Sequence, residues 1–345
     1  MRAWALLVTV TMFAAGMAGC LEGEQSALEE APVVRRLGGI TGGLPVPICD
    51  YKFDADYSQT CATGPYLEVP FEETRLTSAI DGVDIEVGWW MPQVPEGTKV
   101  PIIVMASPYY GNLGEPMGRK SGYLLMLTQN FIQHGYAVAG ISVRGTGDSG
   151  GCMDLMGERE IKDLDQALTW LGEQPWSSGS IGLIGLSYDG STPWSAAATG
   201  NPFVKTIVPI SGVPDVYQLM FKNGSAESRG PFLLNALYYA FAIRVWIPNP
   251  ANPEVPVQSI QRIPEGAVCP ESWVGLGAAA YSGVTGARDP QGWWAERNRR
   301  PAVAENYKGS IFSIQGLQDW NVDPSMVIPW VDELNQTGIP TYQFL

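Results

Sequence analysis

The run Ile181-Gly-Leu-Ile-Gly-Leu-Ser187-Tyr-Asp-Gly190 leads an apolar segment into a helical one through a single serine. A serine at such a corner sits on a tight turn that lifts its hydroxyl above the sheet, where a nucleophile for acyl transfer is useful. Gly185, two positions earlier, leaves room for that turn. The Tyr188 amide would open the helix, where an N–H without an intrahelical acceptor can stabilise a developing oxyanion. The generic G-x-S-x-G spacing asks for glycine at 189, but Asp189 stands there and glycine follows at 190. The competing reading makes Ser187 a plain helix N-cap.

A serine hydroxyl needs a positioned base to take its proton, and the base needs an acid to orient it. Asp319, in Ile311-Phe-Ser-Ile-Gln-Gly-Leu-Gln-Asp319-Trp, follows a late apolar run, which fits the chain order serine then aspartate. An aspartate after a strand is also an ordinary turn residue. The base would come later still, yet the single histidine, His134, precedes the serine. It ends a helical stretch, where it suits the helix dipole, and reads as structural. One histidine and no C-x-x-C pair argue against zinc, and no cofactor is expected.

The elements that would carry these residues follow from periodicity. Arg75 to Ile80 and Val83 to Met91 flank Asp81-Gly82, which suits a two-residue hairpin turn. Apolar runs at Val100 to Ala106, Tyr136 to Val143, Ile181 to Gly185 and Val204 to Ile210 alternate with helix patterns at Gly122 to His134, Glu158 to Glu173 and Tyr188 to Thr199. This alternation predicts an α/β fold, a mostly parallel, doubly wound sheet with helices on both faces. The rhythm breaks from 213 to 304, where helical stretches such as Phe232 to Trp246 are interrupted by prolines, and this reads as an inserted helical cap. It resumes with Ile311 to Gln315, a helix near Ser325 to Leu334, and Pro340 to Leu345.

Gly185-Leu-Ser187-Tyr188-Asp-Gly190 resembles the G-x-S-Y-x-G elbow of the X-prolyl dipeptidyl-peptidase and cocaine esterase family of α/β-hydrolases, which accounts for the displaced glycine. Val143-Arg-Gly-Thr-Gly-Asp-Ser-Gly-Gly151, Asp163, Asp165, Trp170-Leu and Gln174-Pro-Trp-Ser177 are similar to the same family's core. The resemblance covers about residues 75 to 345. It implies an α/β-hydrolase with Ser187 as nucleophile, Asp319 as orienting acid, and the Tyr188 N–H with a Tyr109 hydroxyl as oxyanion donors. Tyr109 inherits that role from Ser107-Pro108-Tyr109-Tyr110 after the early strand, with Tyr110 as the competing choice. The implied reaction is hydrolysis of peptide (X-Pro dipeptidyl) amide or ester bonds through an acyl-enzyme. A peptidase of this kind needs a carboxylate for the substrate's free amine, and Glu227 is one cap candidate among several. Trp89-Trp90 and Trp293-Trp294 could line a pocket or simply pack in the core.

The chain reaches Thr341-Tyr-Gln-Phe-Leu345 in what reads as the last core strand. The expectation is a longer protein, with the histidine and a β-sandwich beyond Leu345 and little activity in these 345 residues alone. A pseudoenzyme, or a surface binding module on the same fold, is the alternative. Gly145-Thr-Gly147-Asp-Ser-Gly150 also matches the dinucleotide G-x-G-x-x-G, but it follows a second strand, and Cys152-Met-Asp154 does not read as an opening helix.

Composition narrows the partners. The 345 residues carry 35 acidic and 21 basic side chains, a formal charge of -14, which opposes nucleic-acid binding. A hydrophobic share of 45% with 40 Gly and 27 Pro reads as a loop-rich globular protein. Residues 1–19, with Arg2, an apolar run from Ala3 to Phe13 and small residues to Gly19, read as a signal peptide. The ending Met17-Ala18-Gly19-Cys20 resembles a lipoprotein signal, so export and a lipid on Cys20 are expected, the latter as the only membrane contact. Secretion after a cut near Ala18 is the other reading. Residues 20–47 read as a tether, 48–212 as the first part of the core, 213–304 as the cap and 305–345 as the second part of the core. Four cysteines other than Cys20 allow three pairings. The short spacing favours Cys49 with Cys61, leaving Cys152 with Cys269.

Overall fold

A computed structural model describes residues 66–110, 117–119, 122–222, 225–226, 269 and 292–345. The signal, the tether, Cys49, Cys61, Glu227 and the helical stretch Phe232 to Trp246 lie outside the described residues.

The chain opens with strands β1 (Glu72–Thr77) and β2 (Asp84–Trp90), paired antiparallel. Then β3 (Val100–Ser107), helix α1 (Gly122–Phe131), β4 (Ala137–Ser142), α2 (Glu158–Glu173), β5 (Ser177–Leu186), α3 (Tyr188–Thr199) and β6 (Val204–Ile210) follow. A short helix α4 (Val216–Met220) leads into a two-stranded hairpin, β7 (Phe221–Lys222) and β8 (Ser225–Ala226). After it come α5 (Trp293–Glu296), α6 (Arg300–Asn306), β9 (Ser310–Ile314), α7 (Pro324–Asn335) and β10 (Thr341–Phe344). The eight-stranded sheet has the order β1-β2-β4-β3-β5-β6-β9-β10, antiparallel at its β1 and β2 end and parallel from β4 onward. The alternation of apolar runs thus forms the doubly wound sheet that it predicts, with α2 and α3 agreeing with the sequence residue for residue.

Strand alternation distributes β3 between two cores. Ile102, Val104 and Ala106 join α2, α3, α6 and α7 on one face, while Met105 joins Leu124 and Leu127 of α1 on the other. Trp89 and Trp90 split in the same way: Trp89 packs near Trp170 and Trp176, and Trp90 lies against Phe71. Both are buried in the core.

The hairpin departs from its expected form. The ladder stops at the pair Thr77 and Asp84, and Asp81-Gly82 sits inside the loop 78–83 instead of forming a two-residue turn. Ion pairing wins over turn propensity here. Arg144, wholly buried, donates to Asp163 at 2.8 Å and to Asp81 at 3.0 Å, and the Ser78 hydroxyl donates to Asp163 at 2.5 Å.

The glycine-rich loop after β4 is a structural staple and opens no helix. Buried Glu86 accepts from Ser142 Oγ at 2.5 Å and from the Asp148 amide at 2.9 Å, and a Cβ on Gly147 (φ +52°) would collide with Ser142. The next helix begins only at Glu158. Cys152 is bonded to Cys269, and the Cys269 amide donates to Met153 O at 3.1 Å.

Candidate active site

Three parallel strands deliver the candidate residues to one edge. Leu186, Ile210 and Ile314 are register partners at the ends of β5, β6 and β9, so Ser187 and the loop bearing Asp319 leave the same edge of the sheet. β6 lies between them, which separates the two strand ends by about 10 Å at ordinary strand spacing. β3, on the other side of β5, releases Tyr109 at the same edge. His134 precedes β4 and therefore lies at the opposite edge, ending a 3-10 turn that Gly135 closes in the left-handed conformation.

Ser187 has φ 63° and ψ -119°, a conformation that a side-chain-bearing residue keeps only when its surroundings enforce it. Its amide donates to Ile210 O at 3.0 Å, and its carbonyl accepts from the Ser191 amide at 3.0 Å and from Ser191 Oγ at 3.1 Å. Ser187 occupies the N-cap position of α3, yet its side chain makes no capping bond. The backbone is fully used and the hydroxyl is not spent on the helix.

Glycine is required where α3 presses on the sheet. A Cβ on Gly185 would strike the Asp189 backbone, and one on Gly190 would strike Ile210 O and lie 2.8 Å from Gly185 O. Asp189 itself is tolerated because its side chain lies over the bare Cα of Gly185. This explains why the second glycine falls at 190.

The Asp189 carboxyl is buried, and burial pushes its pKa well above the carboxylate range. It hydrogen-bonds Ser107, whose Oγ also accepts the Tyr109 amide at 3.0 Å. The elbow and the Tyr109 loop thus share one polar contact. Tyr109 and Tyr110 face different ways. Tyr109 lies edge-on to Tyr188 at 6.5 Å, whereas Tyr110 turns into the core around α1 and donates to Met105 O at 3.1 Å.

The Asp319 loop is an Asx turn. Asp319 Oδ1 accepts the Asn321 and Val322 amides at 2.9 and 3.0 Å, and its own amide donates to Gly316 O at 3.1 Å. Both contacts fall on Oδ1, and among the described residues the second carboxylate oxygen makes none. Gln315 fastens the base of the loop, donating to Val322 O at 2.8 Å. The turn-residue reading and the acid reading are therefore compatible in one side chain.

Tyr188, the residue after the serine, belongs to a second apolar cluster with Met153, Leu155, Met156, Trp293 and Trp294, and Tyr109 packs against it. Trp293 and Trp294 belong to this group beside the elbow.

Sequence reasoning missed the polar layer beneath it. Buried Glu160 accepts from Tyr188 Oη at 2.8 Å and from the Met156 amide at 3.0 Å. Arg297 donates to Leu155 O at 3.0 Å and to Asp154 O at 2.8 Å, and Arg299 donates to Met156 O. Burial raises Glu160 to about 7, and burial lowers Arg299 to about 10. As the third residue of an amphipathic helix, Glu160 carries no sequence signal of its own.

The arrangement supplies a strained, uncapped serine, an adjacent helix N-terminus, a tyrosine edge-on to Tyr188 and an aspartate two strands away. Nucleophilic acyl transfer calls for residues of these types together with a base. Residues 81–345 match the family described as X-Pro dipeptidyl-peptidase (S15 family). A Bacillus anthracis protein assigned as a Xaa-Pro dipeptidyl-peptidase is 28% identical over 313 residues, covering 81% of this chain and 48% of its own length. The cocaine esterase of Rhodococcus sp. (strain MB1 Bresler) is 32% identical over 143 residues, covering 40% of this chain and 23% of its own. This chain thus spans about half or less of the curated relatives that it matches. Among solved structures, an α-amino acid ester hydrolase superposes with a TM-score of 0.51 at 18% identity, over 82% of this chain and 48% of its own, which establishes a shared α/β-hydrolase fold. Family match and fold together place this chain in the X-Pro dipeptidyl-peptidase (S15) family.

Proposed function

We propose that the protein is a serine hydrolase that cleaves peptide (X-Pro dipeptidyl) amide or ester bonds through an acyl-enzyme on Ser187. The observation that carries this reading is the Ser187 backbone at φ 63° with a hydroxyl that caps nothing. In this reading the Ser187 oxygen attacks the scissile carbonyl carbon. Its proton passes to a histidine supplied from outside these 345 residues, since His134 sits at the far edge of the sheet. Asp319 orients that histidine. The Tyr188 amide and the Tyr109 hydroxyl receive the oxyanion, the amine or alcohol leaves with the proton, and water then releases the acyl group.

Export and a lipid on Cys20 belong to the same proposal, and they rest on the layout of residues 1–20. Among the described residues no helix is long and apolar enough to cross a membrane.

The test is fluorophosphonate labelling of the natural full-length polypeptide, with the adduct located by peptide mass and Ser187→Ala alongside. An adduct on Ser187 that the variant lacks supports the reading, and profiling of X-Pro amides against esters then separates the two substrate classes. A folded protein that takes no adduct refutes it in favour of a binding module.

A further inference from the structure

Tyr188 contributes more to the elbow than a backbone amide. Its phenol enters a buried polar layer, where it donates to Glu160 at 2.8 Å and the Met156 amide donates to its oxygen at 3.0 Å. The same Met156 amide donates to Glu160 at 3.0 Å, which closes a three-member ring of contacts. Two consecutive residues in this loop, Leu155 (φ 51°) and Met156 (φ 62°), occupy the left-handed region that non-glycine residues avoid. Such strain persists only when neighbours over-determine the backbone. Here Arg297 holds the Leu155 carbonyl, Arg299 holds the Met156 carbonyl, and Glu160 holds the Met156 amide. The side chains of Leu155 and Met156 then pack with Tyr188 and Tyr109 in the cluster beside the serine.

We infer that Glu160 is a positioning residue for the elbow. Through the Tyr188 phenol it fixes the helix start whose amide faces the oxyanion, and through the Met156 amide it fixes the strained wall of the site. This rests on the hydrolase reading of Ser187. Glu160 Oε2 accepts from both Tyr188 and Met156, and Oε1 lies 3.1 Å from the same phenol, so the ionised carboxylate can receive the phenol proton on either oxygen, whereas a proton on Oε1 points at the phenol oxygen and reverses that contact. The charged and titratable groups facing it are Asp154 on the loop, Arg297 and Arg299 beyond α5, and the Tyr188 phenol. Burial keeps the proton on Glu160 until about pH 7, so the clamp changes state within the working range of a serine hydrolase.

The test uses the natural full-length polypeptide with Tyr188→Phe and Glu160→Gln, measuring ester kcat and KM and the rate of fluorophosphonate labelling from pH 6 to 8. Tyr188→Phe keeps the ring and the amide. It should lower kcat by about 10- to 100-fold with little change in KM, the scale of a displaced reacting group. The ratio of wild-type to Glu160→Gln activity should rise about tenfold from pH 6 to pH 8, because the catalytic base titrates equally in both. Wild-type kcat in Tyr188→Phe, or a pH-independent ratio for Glu160→Gln, overturns the inference while Ser187 still takes its adduct. Tyr188→Phe removes a single oxygen, so the question is decided by that variant if Glu160→Gln does not fold. A wild-type protein without an adduct refutes the hydrolase reading itself, and the positioning role with it.

Discussion

Gly212 and Gly190 meet backbone to backbone: a Cβ on Gly212 would overlap the carbonyl of Gly190 and come within 2.9 Å of its Cα. The segment after β6 thereby lies directly against the first turn of α3, two residues past the strand that holds the Ser187 amide. Trp194, wholly buried in the middle of α3, donates to Gly212 O at 3.1 Å and fixes the approach. The elbow is therefore set by what β6 and its exit allow as much as by its own motif.

Gly212→Ala should separate α3 from the sheet. Backbone atoms cannot yield as a flexible side chain would, so a loss of about 1–3 kcal/mol is expected from overpacking. Urea unfolding measures it, and a wild-type midpoint would show that the contact relaxes freely.

Glu160 should give the protein a distinctive pH dependence of stability. Its folded value of about 7 lies above the ordinary carboxylate value of 4.5, so the folded state binds the extra proton between these limits. Stability from this group is complete below about pH 4.5 and is lost as pH rises through 7, a change on the order of 3 kcal/mol. Arg299, at about 10, stays charged throughout that window and adds no slope. Unfolding free energies at pH 5, 6, 7 and 8 should fall in the wild type and run flatter in Glu160→Gln; parallel curves would count against this assignment.

Arg144 is wholly buried between Asp163 and Asp81. Arg144→Met leaves the buried Asp163 without its cation, and a loss of about 3–5 kcal/mol is expected. Asp163→Leu added to it should recover part of that loss in the same unfolding assay, because the uncompensated charge is then gone.

The Cys152–Cys269 bond closes a separation of 117 residues. Chain-entropy arguments give about 4–5 kcal/mol for a loop of this size. Thermal unfolding with and without reductant, with thiols counted by mass, should show a large drop on reduction; an unchanged midpoint would mean that the loop is held by other contacts.

Asp319→Asn should leave the Asx turn intact, since the amide oxygen can still accept from Asn321 and Val322. In the full-length polypeptide kcat should nevertheless fall by about 10³- to 10⁴-fold, the scale seen when an orienting acid is lost. Near wild-type turnover would move the acid elsewhere.

Much of this protein was legible in local sequence. Apolar runs with flanking turn residues located the core strands and gave α2 and α3 their ends, because hydrophobic periodicity and the residues that stop a helix, Pro175 after α2 and Gly200 after α3, are local features. The elbow was legible for the same reason, since Gly185, Ser187 and Gly190 lie within a few residues of one another. Tertiary structure decided what distant residues do to each other. Asp81-Gly82 has the composition of a tight turn, yet Arg144, far along the chain, captures Asp81 and opens the loop. Tyr109 and Tyr110 are neighbours of one type, and only tertiary packing sets one edge-on to Tyr188 and turns the other into the core around α1. Glu160 reads as any acid in the first turn of a helix. Its meeting with Tyr188, Met156 and Arg299 depends on separate elements converging at the start of α3, where burial makes each contact strong and each missing partner costly.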